Sequence, residues 1–312
     1  MSVGGHKHTA VGIHPASWRV VLGQLDAVLH SLRAGHPPAA VREHTSYRCW
    51  ARALAERAES LDTAPFWVFQ LDGDDPDLGA RRVRPDRDRA RDLLIRAAVT
   101  DAEVTGRLIG SGTPMRDLLI AAASRTVTRW RKGRGQPTPA PLLALETHGR
   151  ADELVNGAGH DAIDTTDTVG LLSAIYPLRV DSADPRGVGA QLAKIPGDGI
   201  DYGLLRYLRG DTAPQLAEFH GPQLLLNYLG RGDLGDSGSV MRLDRQLLAG
   251  LSPLPEPGLA VRHELTVLAA VLTAGDQVVL ATQWRTLPDI LDDADVAALQ
   301  TLWSEALREL AT

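Results

Sequence analysis

The 312-residue chain has a single cysteine, Cys49, so no internal disulfide can form. It lacks any apolar run of the roughly 20 residues that a membrane span requires. Its first ten residues, MSVGGHKHTA, contain no apolar segment of the kind that makes a secretory signal. A basic surplus is also missing. There are 33 Lys and Arg against 39 Asp and Glu, a formal net charge of −6, and the basic residues are interspersed with acidic ones, which excludes the cationic face that phosphate backbones need. Internal repeats and low-complexity tracts are absent. These absences point away from nucleic acid and from membranes, towards the cytoplasm. What the chain does have is 44% apolar residues, ample for one large domain or two modest ones.

Periodicity supplies the elements. SWRVVLGQLDAVLHSLRAG carries Trp18, Val21, Leu22, Leu25, Val28, Leu29 and Leu32 at helical spacing, with Ser17 as a candidate cap. A second helix starts at Thr45 or Ser46, with Tyr47, Trp50, Leu54, Ala58 and Leu61 on one stripe and Cys49 off it. GDDPDLGARRVRPDRDRA, dense in charge, Gly and Pro, reads as a surface connection and the best domain boundary. RDLLIRAAV reads as a strand, with Thr100 and Glu103 as a capping box for the next helix. TPMRDLLIAAASRTVTRWRKG is a stronger helix, its basic residues in the last turn where the dipole favours them. Strand-like runs follow at PLLALE, TVGLLSAIYPLRV and QLLLNYLG, with a helical stretch, RGVGAQLAKI, among them. Two strands joined near Ala274 to Gln277 precede a closing helix with Val296, Leu299, Trp303, Ala306 and Leu310 inward. The mixture predicts α/β or α+β sandwich layers.

Four short stretches carry chemistry-bearing residues. GDSGS at 235 to 239 matches the surround of a serine-protease nucleophile at Ser237, but the helices contradict the all-β scaffold of those enzymes, and a Gly-rich turn is the simpler reading. His6 and His8 could share one side of a strand, yet no carboxylate or cysteine set completes a metal site. HTAVGIHPASWRVV has the outline of a histidine motif. LETHGR places Glu146 directly after an apolar strand, where partial burial raises a carboxyl pKa towards that of a general acid or base. A simple ion pair between Glu146 and Arg150 is the alternative at that position. Asn227 and Tyr228, as bare residues after an apolar strand, read as turn and core residues.

Read in order, LETHGR, TVGLLSAIYPLRV, KIPGDGIDYGLLRYL, LLLNYLG and the GDQVVLATQW strand with its closing helix resemble the epimerization and condensation domains of non-ribosomal peptide synthetases. Epimerization-type members carry E-G-H-G-R, T-V-G-W-F-T-x-x-Y-P-V, K-x-P-x-x-G-I-x-Y-G-x-L-R-Y and F-N-Y-L-G in that order. The resemblance covers nearly the whole chain. It implies a chloramphenicol acetyltransferase-like fold of two lobes, with a tunnel that admits phosphopantetheine-tethered substrates from carrier proteins. The implied partner is a peptidyl carrier protein or a synthetase module, with no tightly bound cofactor beyond the phosphopantetheine arm as tether and no metal. Glu146, His14 and His148 become candidate catalytic residues, and Asn227, Tyr228 and Ser237 candidate substrate- or carrier-binding residues.

The departures from the family pattern shape the functional expectation. The family motif is H-H-x-x-x-D-G or H-H-x-x-x-D-P followed by S-W, and its second histidine is the catalytic one. Anchored on Pro15, Ala16, Ser17 and Trp18, the register puts Thr9 and Ala10 at the two histidines and His14 at the aspartate. Eight residues precede Thr9, where complete members have several strands and helices. Residues 1–70 are therefore expected to be a remnant of the N-terminal lobe, its helices left with apolar faces that must find water, a partner such as a second copy, or a rearranged packing, and residues 85–312 a C-terminal lobe. Epimerization needs one group to remove the α-proton and another to return one on the opposite face, and Glu146 supplies at most one. The leading expectation is a truncated, catalytically impaired relative that binds a carrier protein or synthetase module. The alternatives are an active peptidyl epimerase or condensation-type acyltransferase using Glu146 with His8 or His14, and a decayed fragment or mis-assigned start of a larger synthetase.

Overall fold

Alternating apolar residues between 265 and 286 build the centre of a sheet. The computed structural model describes residues 15–39, 44–156, 163–232, 255–274 and 277–312. β1 (Leu94–Thr100), β2 (Leu142–Thr147), β3 (Ala174–Arg179), β4 (Leu224–Gly232), β5 (Leu265–Ala274) and β6 (Gln277–Thr286) form one six-stranded sheet in the order β1-β6-β5-β4-β2-β3. β5 and β6 are the expected hairpin, β4 runs parallel to both β5 and β2, and the two edge strands are antiparallel to their neighbours. The α+β reading of the sequence therefore holds.

One side of the sheet is packed. Leu265, Val267, Ala269 and Val271 on β5, with Leu280, Thr282, Trp284 and Thr286 on β6, are buried on the side covered by α4 (Ala102–Gly110), α5 (Met115–Gly133) and α9 (Asp293–Leu310). Trp284 meets Trp303 of α9 edge to face at 5.7 Å. The cap of α4 lies one residue later than the sequence suggests. Asp101 accepts from the Val104 amide at 2.8 Å, while Glu103 pairs with Arg107 at 3.1 Å, because a short carboxylate reaches the first-turn amides better than Thr100 can. Side chains alternate along a strand, so Thr266, Leu268, Ala270 and Leu272 face the opposite side with Val279, Ala281, Gln283 and Arg285. These are half-buried or exposed, and no described helix lies along them.

The N-terminal helices pack at the other end of the sheet, around β3. α2 (Tyr47–Ala58) starts where the Ser46 hydroxyl accepts from the Cys49 amide at 3.1 Å, as the sequence suggests. It buries Trp50, and α3 (Ala64–Leu71) buries Trp67. The rings of Phe66, Tyr176 and Tyr202 lie 5.0, 6.1 and 5.4 Å from that of Trp67. α2 and α3 are thus packed against β3 and α7 (Ile200–Tyr207), the rearranged packing that the sequence left open. α1 (Pro15–Arg33) keeps Leu25 and Leu32 45% and 55% exposed. The short helices α6 (Pro185–Leu192) and α8 (Ala213–Ala217) complete the set among the described residues.

The charge-rich stretch after α3 is pinned rather than slack. Leu78 is buried and its amide donates to Gln223 Oε1 at 2.7 Å, and a Cβ on Gly79 would overlap the Ile290 carbonyl. Arg81 spans Asp88 and Asp289, each at 2.8 Å, and the buried Arg131 reaches Asp75 at 2.6 Å. Its density of charge thus reflects pairing among its own residues and with the body.

A second anchor holds α2 to α7. Arg57 Nη2 lies 3.3 Å from Asp201 Oδ1, Thr63 donates to the other oxygen at 3.3 Å, and the Asp201 side chain is 1% exposed. Burial pushes the Asp201 carboxyl pKa up, against the opposing pull of Arg57. Removing one partner of such a pair strands the other. Arg57→Ala is therefore expected to lower unfolding stability by about 2–4 kcal/mol in a urea titration, whereas Arg57→Ala/Asp201→Asn recovers most of the loss.

Candidate functional site

Glu146 owes its position to strand pairing. Leu145 is level with Leu226 on the parallel neighbour and Glu146 with Ile175 on the antiparallel one, so Glu146 comes beside Asn227. Asn227 is in turn level with Leu268, on the side of the sheet away from α4, α5 and α9. The Asn227 carboxamide donates to Glu146 Oε2, and the Ser173 hydroxyl bonds the same carboxylate. Both bonds favour the charged form. Burial opposes them and is the larger effect, so the Glu146 pKa lies above its ordinary value.

The chain turns sharply after this carboxylate. Gly149 has φ +68°, and a Cβ there would run into the Leu172 carbonyl, so this position requires glycine. His148 is exposed, and its Nδ1 accepts from the Arg150 amide at 3.0 Å. Arg150 is not engaged in the ion pair considered for Glu146. Its guanidinium donates to the carbonyls of Thr165 and Thr168 and, at 3.2 Å, to the Ser17 hydroxyl, while Ser17 also accepts from the Gly170 amide at 3.1 Å. The first turn of α1 is thereby held beside the turn that follows Glu146.

Thr147, standing where the family pattern has glycine, donates to Asp198 Oδ2 at 2.8 Å. Asp198 lies in a left-handed run, with φ of 56°, 49° and 86° at Gly197, Asp198 and Gly199, and a Cβ on Gly199 would enter the Tyr176 ring. The motif KIPGDGIDYG is thus a turn that brings a carboxylate to the end of β2. Sequence reading missed Asp198, although its flanking glycines signal such a turn. Ser173 and Tyr176 were also missed, since nothing local distinguishes them from strand residues.

A cavity of about 400 Å³ opens here, with Glu146, His148, Tyr176, Asp198, Asn227 and Tyr228 among its lining residues. The structure therefore gathers four of the candidate residues, Glu146, His148, Asn227 and Tyr228, around one cavity. Ala10, His8, His14 and Ser237 lie outside the described residues. Burial raises the Tyr228 phenol pKa and pushes that of Tyr176 up to about 12, so both stay protonated through neutral pH. Chemically, the described residues of the cavity offer two carboxyls, of which Glu146 has the raised pKa that suits it to take or give a proton, and a phenol able to donate to a developing negative charge.

Solved structures with this architecture are condensation and epimerization domains. The epimerization domain from the third module of tyrocidine synthetase B superposes with a TM-score of 0.75 at 21% identity, covering 96% of this chain and 67% of that one. The first condensation domain of the calcium-dependent antibiotic synthetase gives 0.60 at 18% identity, with 96% and 62% covered. No family model matches the chain. Curated relatives include a linear gramicidin synthase of Brevibacillus parabrevis, 29% identical over 312 residues, and chondramide synthase cmdD of Chondromyces crocatus, 32% identical over 239. These alignments take in 94% and 70% of this chain but 4% and 6% of the relatives' length. The resemblance read from the motifs stands on relatives and fold alike: the chain is similar to the condensation and epimerization domains of non-ribosomal peptide synthetases. Among the described residues no helix is long and apolar enough to cross a membrane.

A raised folded-state carboxyl pKa means that the native protein binds the Glu146 proton more tightly than the unfolded chain does. Its contribution to stability is full below the ordinary glutamate value of 4.5 and is lost as pH rises through the folded value. Glu146→Gln should therefore be more stable than the parent at neutral pH, with the difference shrinking on acidification to about pH 4. Asn227→Ala removes a bond to the charged form and should move the Glu146 titration, followed by carboxyl-carbon NMR, further up.

Proposed function

We propose that this chain is a domain of non-ribosomal peptide biosynthesis that receives an acyl or peptidyl thioester on the phosphopantetheine arm of a carrier protein. It holds the substrate's α-carbon against Glu146 without completing two-sided epimerization. The observation that carries this reading is the half-buried Glu146 carboxyl, braced by Asn227 and Ser173, at the wall of a cavity large enough for an aminoacyl group. Inversion needs a second proton carrier on the opposite face of the α-carbon. Among the described residues the one cavity histidine, His148, follows Glu146 by two positions and leans on the Arg150 amide. Ala10 stands where the family pattern has its catalytic histidine. Both support a binding role over full turnover.

Active epimerization is the second reading, and the raised Glu146 pKa favours it, because a proton carrier works best when its pKa approaches the ambient pH. Peptidyl carrier substrate incubated with the chain in deuterated buffer separates the two. The binding reading expects no inversion above background. A one-sided base would at most exchange the α-hydrogen with retention of configuration, and Glu146→Gln would abolish that exchange. Inversion that disappears in Glu146→Gln would establish the second reading instead.

A further inference from the structure

The cavity that holds Glu146 has a second carboxylate, and residues outside the shared motif pattern put it there. Asp198 occupies a position that the pattern K-x-P-x-x-G leaves open, and Thr147, which donates to Asp198 Oδ2 at 2.8 Å, stands where the pattern has glycine. Backbone fixes its place. Asp198 is the only non-glycine among the described residues with a positive φ, a conformation that aspartate tolerates. The glycines on either side of it are seated against the Asp201 carboxylate and the Tyr176 ring, where a Cβ would overlap. Neither cation of the cavity wall is spent on Asp198. Arg116 bonds Asp117 at 3.2 Å, and Arg150 bonds the carbonyls of Thr165 and Thr168. Below this carboxylate the wall is apolar: Leu145 is level with Leu226 on one side and with Tyr176 on the other, and all three are buried, as is Ile120 of α5. Leu226 stands where the pattern has phenylalanine, and the smaller side chain leaves more room.

An apolar wall that ends in a fixed carboxylate matches a ligand with an aliphatic stem and a cationic tip. We propose that the cavity selects an aminoacyl residue with a long basic side chain, lysine- or ornithine-like, its ammonium group paired with Asp198 and its methylenes laid over Leu145 and Leu226. This rests on the reading that the cavity receives an amino acid borne on phosphopantetheine, and it names the class of that amino acid. Asp198 is exposed, so the ammonium keeps part of its hydration there and contributes as a charge-assisted hydrogen bond rather than as a buried ion pair. Thr147 occupies one carboxylate oxygen and leaves the other for the ligand. Asp198 acts on the choice of substrate and takes no part in proton transfer at Glu146.

Calorimetric titration of the full chain with three hydrolysis-resistant pantetheine amides tests it: N-acetyl-lysyl, N-acetyl-norleucyl, and norleucyl with a free α-amine. The lysyl probe should bind roughly tenfold more tightly than N-acetyl-norleucyl. That ratio should fall towards one in Asp198→Asn and partway in Thr147→Gly, and it should shrink as salt is raised, because the carboxylate is open to solvent. Asparagine also suits the left-handed conformation, so Asp198→Asn should keep the parent circular dichroism. Equal affinity for the lysyl and N-acetyl-norleucyl probes overturns the proposal and leaves the aminoacyl reading of the cavity standing. A lysyl preference that survives Asp198→Asn overturns it too. Tighter binding of the free α-amine than of the lysyl probe would assign the cation to the α-ammonium and overturn the side-chain assignment. If none of the three binds, the aminoacyl reading itself fails and takes the proposal with it.

Discussion

The parallel pairing of β2 with β4 is the constraint on which the site depends. It sets Glu146 beside Asn227 at one level of the sheet, on the side away from α4, α5 and α9. A shift of either strand by one residue would turn Glu146 towards α5 and Leu145 to the other side. The apolar run LLAL is buried on both sides, and Glu146 is the first residue of the strand that is not, so the carboxyl comes where the buried run ends.

Around that strand the geometry is held by backbone constraints that few residues satisfy. Gly149 lets the chain fold back under the Leu172 carbonyl, and Gly197 with Gly199 allows the left-handed passage that presents Asp198. Arg150 ties the turn to the 165–170 loop and to the start of α1. They fix where Glu146, Asn227 and Tyr228 meet.

Much of this was legible in the sequence, and unevenly so. The strands at 142, 224, 265 and 277 and the helices at 47, 115 and 293 announce themselves by pattern, since each buries residues against a large partner, and the strand at 94 and the helix at 15 were legible from their pattern although neither is deeply buried. α7 and α8 lie in motifs whose glycines and prolines mask a helical pattern, and they were not read. In the segment from 72 to 92 the ion pairs were not legible, because composition cannot distinguish charges that face water from charges that face each other. Glu146 was identified from its place after an apolar run, while Asp198 and Ser173 become site residues through long-range packing to which no local pattern points.

Tyr176 has a double allegiance. One side of its ring packs against Trp67 and the glycine turn at 199, and the same residue walls the cavity beside Glu146. The aromatic stack that docks α3 is therefore continuous with the wall that a ligand would touch. In evolutionary terms the two cannot drift apart: a substitution that enlarges the cavity at Tyr176 also loosens α3, and one that repacks α3 reshapes the cavity. Changes in ligand preference at this wall should come as paired substitutions, one at the cavity and one beneath it.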